Sequence, residues 1–456
     1  MKILINKKAL VIIGLFMLSF NTNAQQPAYE VMVDGVKIIV QPTLDEIVEI
    51  RTIIKGGVQN YPADKAGIES IAMKMLTEGG TQNDDRNSFK NKLDKVSATM
   101  YSTSDMDYSS FNLNCIKSDL SSVWNLYADA FTKPRFDEKE FARIKQNQVN
   151  QIRSQSSNPD FAIQQLGREV AFSGKAYANN PLGTVAAITA LTLADAKDYF
   201  KMIANKKQVF MVVVGNIEKP MIEKMARDVI GSLPEGNAFQ LSKEGYATTK
   251  NTFKSEKKDL ATNYVMGIAG GPQPGSKDYN AFLLAMNIMY DRHFLEVRTN
   301  NGLSYAPSSY FNGGLTAYSG FGASTTDPNK YIGVVNELID RTRTKGFTEE
   351  EVKNKKTTYV TRLYYGQETN AGQANALASN EVNFNNWKRA LVLNDDLKSV
   401  TTKDVSNAFN KYISNLTWVY QGNPDQVNEK LYTQAYKPGS KPEKLPKSTF
   451  TNKKIN

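Results

Sequence analysis

The sequence predicts an α+β protein of two homologous domains, each a mainly antiparallel sheet packed with helices. Signposts recurring in one order carry most of that prediction. Gly56-Gly57 and Gly270-Gly271 stand 214 residues apart, each closing a β-type run, Val48 to Ile54 and Tyr264 to Ala269. Leu193-Ala194-Asp195 and Thr402-Lys403-Asp404 stand 209 apart at their aspartates; each leads to an apolar strand that ends in Gly-Asn, at 215–216 and 422–423. Matches in the same order at nearly one offset mark a duplicated unit. The second observation is periodicity: short alternating runs and longer helical patterns make each unit read strand, helix, paired strands, helices and a final strand.

Taken in order, residues 1–24 read as a cleaved secretory signal. Lys2, Lys7 and Lys8 precede an apolar run from Ala9 to Phe20, and Thr22-Asn23-Ala24 places small residues where a signal peptidase cuts. The run is shorter than the roughly 20 residues a bilayer crossing needs. No later stretch is long enough, so the mature chain is expected without a membrane span in an exported compartment, the periplasm. The first domain is placed at 27–235. Within it Thr99 to Asn114 alternates as paired strands, and a helical pattern runs from about Asp137 to Ser154. Charged and polar residues dominate 236–260, the expected linker, before a second domain at 261–436. Residues 437–456, rich in lysine and proline, read as a solvated tail.

The 456-residue chain holds one cysteine, Cys115, and one histidine, His293. Cys115 is expected as a small buried hydrophobe. A single histidine excludes a histidine-based catalytic zinc site, and its ordinary role is that of a hydrogen-bonded structural group. No G-x-S-x-G pattern occurs. The net charge of +10 falls to +7 without the three signal lysines, and the basic residues are dispersed, so nucleic acid is not indicated.

Gly67 to Gly80 has the pattern of an amphipathic helix, with Ile68, Ile71, Ala72, Met75 and Leu76 on one face and a polar outer face opposite. A strand, a Gly-Gly turn and this helix resemble the start of the pitrilysin/insulinase family of metallopeptidases. There the helix carries H-x-x-E-H between a Gly and a Met-Leu; the histidines bind zinc and the glutamate activates water. On that resemblance Ser70 and Lys74 occupy the histidine positions and Met73 the glutamate position. The third ligand, a glutamate of a later long helix, falls where Asn150 and Gln151 stand. None of these residues can replace its counterpart.

Phe294 to Tyr305 is similar to the C-terminal signature of the same family, in which an arginine ends a helix and a tyrosine follows seven residues on, after Gly-Leu. The resemblance implies that Arg298 and Tyr305 project towards zinc held elsewhere and contact substrate near the scissile bond, as donors to the charge on its carbonyl oxygen. Some bacterial members, like the mitochondrial processing peptidase, work as two subunits. One carries H-x-x-E-H; in the bacterial pairs the zinc-less partner keeps the arginine and tyrosine. For this chain that implies the noncatalytic subunit, binding no cofactor itself, with zinc in the partner and unstructured peptide between them. The alternative is a scaffold or peptide-binding protein of the same fold.

Overall fold

The computed structural model describes residues 26–237, 239–242, 244–246 and 248–434, so the expected signal at 1–24 and tail at 437–456 lie outside the described residues. Strands β1 (Tyr29–Val33), β2 (Val36–Pro42), β3 (Ile47–Lys55), β4 (Thr99–Ser104), β5 (Tyr108–Ile116) and β6 (Val209–Gly215) form one sheet in the order β1-β2-β6-β3-β5-β4. Strands β7 (Thr252–Lys257), β8 (Asn263–Gly270), β9 (Ser308–Asn312), β10 (Tyr318–Thr325) and β11 (Thr417–Gly422) form the other, in the order β7-β11-β8-β10-β9. Without β1 the two successions are identical. Only β2 with β6 and β7 with β11 pair in parallel. Both sheets are therefore mainly antiparallel, as the sequence predicts.

The repeated aspartates have a structural cause. Asp195 stands in the first turn of α7 (Leu193–Ile203) and Asp404 in that of α14 (Thr402–Tyr412), and each closes a capping box with Thr192 or Thr401. Each box satisfies two otherwise unpaired donors at a helix start. The Gly-Gly pairs differ from one another. Gly57 has φ 50° and no room for a Cβ, which would stand 2.4 Å from the carbonyl oxygen of Met106. This close approach lets Gly56 and Val58 donate to Asp107 and Met106, tying the end of β3 to the turn between β4 and β5. In the second pair it is the Phe311 ring that fills the space at Gly271.

Strand β7 lies inside the segment 236–260 whose composition reads as linker. It is an edge strand with mostly exposed side chains, so its residues are polar although its backbone belongs to the second sheet.

Each domain covers the other's sheet. Helix α5 (Pro159–Ala171), from the first domain, packs on β8 and β11; α12 (Asn370–Phe384), from the second, packs on β2, β3 and β6. Ala374, Leu377, Ala378 and Val382 of α12 share a core with Ile39, Ile53, Phe210 and Val212. Polar ties reinforce the exchange. Lys37 pairs with the buried Glu381 at 2.7 Å, Asn370 donates to the carbonyl of Ile47 at 2.6 Å, and Arg51 bonds Asn375. Among the described residues no helix is long and apolar enough to cross a membrane.

Candidate functional site

Helix α1 (Ile68–Glu78) begins at Gly67, whose left-handed φ of 89° turns the chain out of the preceding loop. The polar outer face expected for this helix is absent. Glu69, Ser70 and Met73 are buried along with Ile68, Ile71, Ala72, Met75 and Leu76, because α7, β4 and α4 (Glu138–Ser157) pack around it. Periodicity shows which face is apolar, but it cannot show that buried polar groups find partners on the other.

Those partners form a compact amide and ammonium cluster. Lys74 Nζ donates to Gln148 Oε1 at 3.0 Å and to Gln151 Oε1 at 3.2 Å, and Ser70 Oγ donates to Gln148 Oε1 at 3.0 Å. The Gln148 amide nitrogen donates to the carbonyls of Gly67 and Leu182 at 3.3 and 2.9 Å. Burial pulls the Lys74 ammonium below the usual lysine range, with Glu78 opposing it. The structure thus brings Ser70, Lys74 and Gln151 together. Met73 is sealed in the core, and Asn150 faces solvent, accepting from Gln146. Gln148 is the residue that sequence reasoning missed; its position one turn before Gln151, on the same helix face, was the available signal. A hydroxyl, an ammonium and two amides do not fit zinc, which takes thiolate, imidazole or carboxylate donors.

Beside Ser70, Glu69 is fully buried. It accepts from Tyr199 at 2.5 Å, from Asn60 at 3.1 Å and from Ser109. Desolvation raises its pKa to about 6, against the lowering effect of these donors.

In the second domain, α9 (Tyr279–Phe294) continues into a π-helical turn, Leu295–Asn300, and Gly302 closes it by donating to the Arg298 carbonyl at 3.1 Å. π turns shift helix register and recur at functional sites. Here the turn places the Arg298 guanidinium 4.9 Å from the Phe294 ring centroid and 4.1 Å from that of Tyr305. Tyr305 is 78 % exposed. Among the described residues Arg298 makes no side-chain hydrogen bond or ion pair, unlike Arg51, Arg143, Arg292 and Arg389. Nor does any hydrogen bond or ring contact there join Arg298 or Tyr305 to Ser70, Lys74 or Gln151.

His293, five residues earlier, is fully buried. Its Nδ1 donates to the Ser308 carbonyl at 3.1 Å, and its Nε2 accepts from Tyr331 at 3.3 Å. Desolvation lowers its pKa to about 4, against the raising effect of Ser308. It is a neutral structural group. Cys115 is also buried, and burial pushes its thiol up to about 12.

The description "Insulinase (Peptidase family M16)" fits residues 37–185, and "Peptidase M16 inactive domain" fits 190–359. The chain belongs to peptidase family M16. Within that family it is a zinc-less member. A protein described as non-peptidase homolog YmxG, from Helicobacter pylori, is 21 % identical over 321 residues, 67 % of this chain and 72 % of that one. The crystal structure of a peptidase M16 inactive domain from Pseudomonas fluorescens superposes with a TM-score of 0.79 at 19 % identity, covering 91 % of this chain and all of that one. The periplasmic protease PqqL of Escherichia coli gives 0.73 at 15 % identity, over 89 % of this chain and 48 % of PqqL. These likenesses establish the fold.

Proposed function

We infer that this chain is the noncatalytic subunit of a two-subunit zinc peptidase, exported to the periplasm. It contributes half of a peptide-holding chamber and lends Arg298 and Tyr305 to the zinc site of a partner carrying H-x-x-E-H. The observation that carries this reading is the state of Arg298. Its guanidinium lies 4.9 Å from the Phe294 ring centroid and 4.1 Å from that of Tyr305, while among the described residues its donors remain unspent. An arginine needed only for the fold would be expected to engage a carboxylate or carbonyls, as Arg292 and Arg51 do. A preorganised donor beside an exposed phenol suits an oxyanion that forms on another subunit.

Strand β4 supports the chamber. It is the outer strand of its sheet, its side chains alternate exposed and half-buried, and it packs beside α1. An unstructured peptide can add a strand to such an edge. The second reading, a scaffold or peptide-binding protein without a part in catalysis, would use the same edge and leave Arg298 idle.

Co-expression with an H-x-x-E-H homologue from the same genome separates the two. The proposed function expects a heterodimer that cleaves an unstructured peptide, and expects Arg298→Ala to lower its turnover about 100-fold, the scale of one lost oxyanion donor. A heterodimer whose turnover ignores both Arg298→Ala and Tyr305→Phe would leave only the scaffold.

A further inference from the structure

Tyr290, Phe294, Arg298 and Tyr305 form a row of successive contacts along the end of α9 and the π-helical turn. The Tyr290 and Phe294 ring centroids lie 6.4 Å apart, their planes 31° from parallel. The Arg298 guanidinium then stands over both the Phe294 and the Tyr305 rings. Spacings of four residues bring 290, 294 and 298 to one side of the helix. Phe294 and Arg298 are half-buried, Tyr290 and Tyr305 exposed. The main chain beneath the row is tied separately. Leu303 N–H donates to the Val297 carbonyl at 2.8 Å, Asn301 Nδ2 to the Glu296 carbonyl at 2.9 Å, and Arg341 and Asn300 hold the Glu296 carboxylate. None of these bonds reaches the Arg298 or Tyr305 side chain.

Other arginines over rings are anchored by carboxylates. Arg292, 4.6 Å from the Phe347 centroid, pairs with Glu351 at 2.7 Å; Arg389, 4.3 Å from that of Phe384, pairs with Asp396 at 3.1 Å. At Arg298 no ion pair or hydrogen bond accompanies the rings among the described residues. The Tyr305 phenol there makes no hydrogen bond and no ring–ring contact, so its recorded tie is to the guanidinium. The difference matters chemically. A carboxylate holds a guanidinium by consuming its N–H donors, whereas a ring attracts the cation through its quadrupole and consumes none.

We propose that Phe294 is a positioning residue, whose ring holds the Arg298 guanidinium and, through it, the Tyr305 phenol, in place while leaving their donors free. Its consequence for turnover rests on the subunit reading above. The positioning itself is a property of this chain alone and is measured without a partner.

The first measurement is the arginine Nε–Hε spectrum of the full chain, with the Arg298 signal assigned by its loss in Arg298→Ala. A proton held over an aromatic ring is shifted upfield, so Phe294→Leu should move the Arg298 signal downfield and Phe294→Tyr, which keeps the ring, should not. The Arg292 signal should stay put in both variants and so report an intact fold. An Arg298 signal indifferent to Phe294→Leu overturns the proposal, whatever the partner does. The second measurement is turnover of the heterodimer. Phe294→Leu should lower kcat about fivefold, the scale of one exposed cation–π contact, with KM unchanged. It should cost nothing further in an Arg298→Ala background, and Phe294→Tyr should keep wild-type kcat. Additive losses would mean that Phe294 acts apart from Arg298, and overturn the proposal. Turnover that ignores Arg298→Ala sinks the subunit reading instead, and the spectrum still decides whether Phe294 positions the guanidinium.

Discussion

Lys74 and Gln151 face each other across α1 and α4, the ammonium donating to the amide oxygen at 3.2 Å. An ammonium can hold the two helices together by donating to oxygen from both residues of the α4 face, Gln148 and Gln151. It cannot accept from anything, so the same placement that stabilises the helix pair excludes a metal.

Gln148 should therefore matter more for stability than Lys74. Gln148→Leu leaves the Ser70 hydroxyl and the carbonyls of Gly67 and Leu182 without this amide, and a loss of about 3 kcal/mol is expected from stranding buried polar groups. Lys74→Met, at a half-buried position, leaves Gln148 bonded to Ser70 and should cost under about 1 kcal/mol. Urea unfolding of the two variants gives the comparison; equal losses would mean that the ammonium, not the amide, organises the cluster.

Ser70, Lys74 and Gln151 meet around Gln148, so ligands placed at these three positions would converge. Ser70→His, Lys74→His and Gln151→Glu combined should therefore bind about one zinc per chain after dialysis, since two imidazoles and a carboxylate make a competent ligand set. Wild type should retain none under the same conditions. A triple variant that folds and stays metal-free would show that α1 and α4 have moved apart from the geometry zinc needs.

Much of this is legible in the sequence, for identifiable reasons. The duplicated order is signposted by residues whose roles are local: Asp195 and Asp404 each complete the capping box at the start of their helix. Arg298 and Tyr305 stand out because the turn between them is short. Gln148 does not, because its significance is nonlocal: it matters through Gly67 and Leu182. Strand β7 has the composition of a linker because an edge strand can be as polar as a loop.

Two buried titratable groups give stability opposite slopes with pH. The folded-state pKa of Glu69, about 6, lies above its ordinary 4.5, so its contribution is complete below pH 4.5 and is lost as pH rises through about 6. That of His293, about 4, lies below its ordinary 6.5, so its contribution is present above pH 6.5 and is lost as pH falls towards 4. At 1.36 kcal/mol per pKa unit the swings are about 2 and about 3 kcal/mol. Measured between pH 4 and 7, Glu69→Gln should steepen the loss of stability on acidification between pH 6 and 4.5, and His293→Gln should flatten it. The same pH profile for wild type and both variants would mean that neither group titrates differently when folded.

The exchanged helices tie each domain's sheet to the other domain, and the consequence is measurable far from the substituted residue. Leu377 sits on α12 in the second domain, yet its buried side chain belongs to the core formed with Ile39, Ile53 and Phe210 of the first. Leu338, on α10 (Pro328–Lys345), is equally buried but packs with Phe282, Phe321 and Phe409 in the second domain's own core. Either leucine replaced by alanine should cost about 2–5 kcal/mol. The distribution of that cost should differ. Leu377→Ala should speed amide exchange in β2, β3 and β6, which α12 covers, while Leu338→Ala should leave those strands near wild-type protection under conditions where only local opening exchanges. If Leu377→Ala instead loosened only second-domain amides, α12 would be resting on the first sheet without holding it.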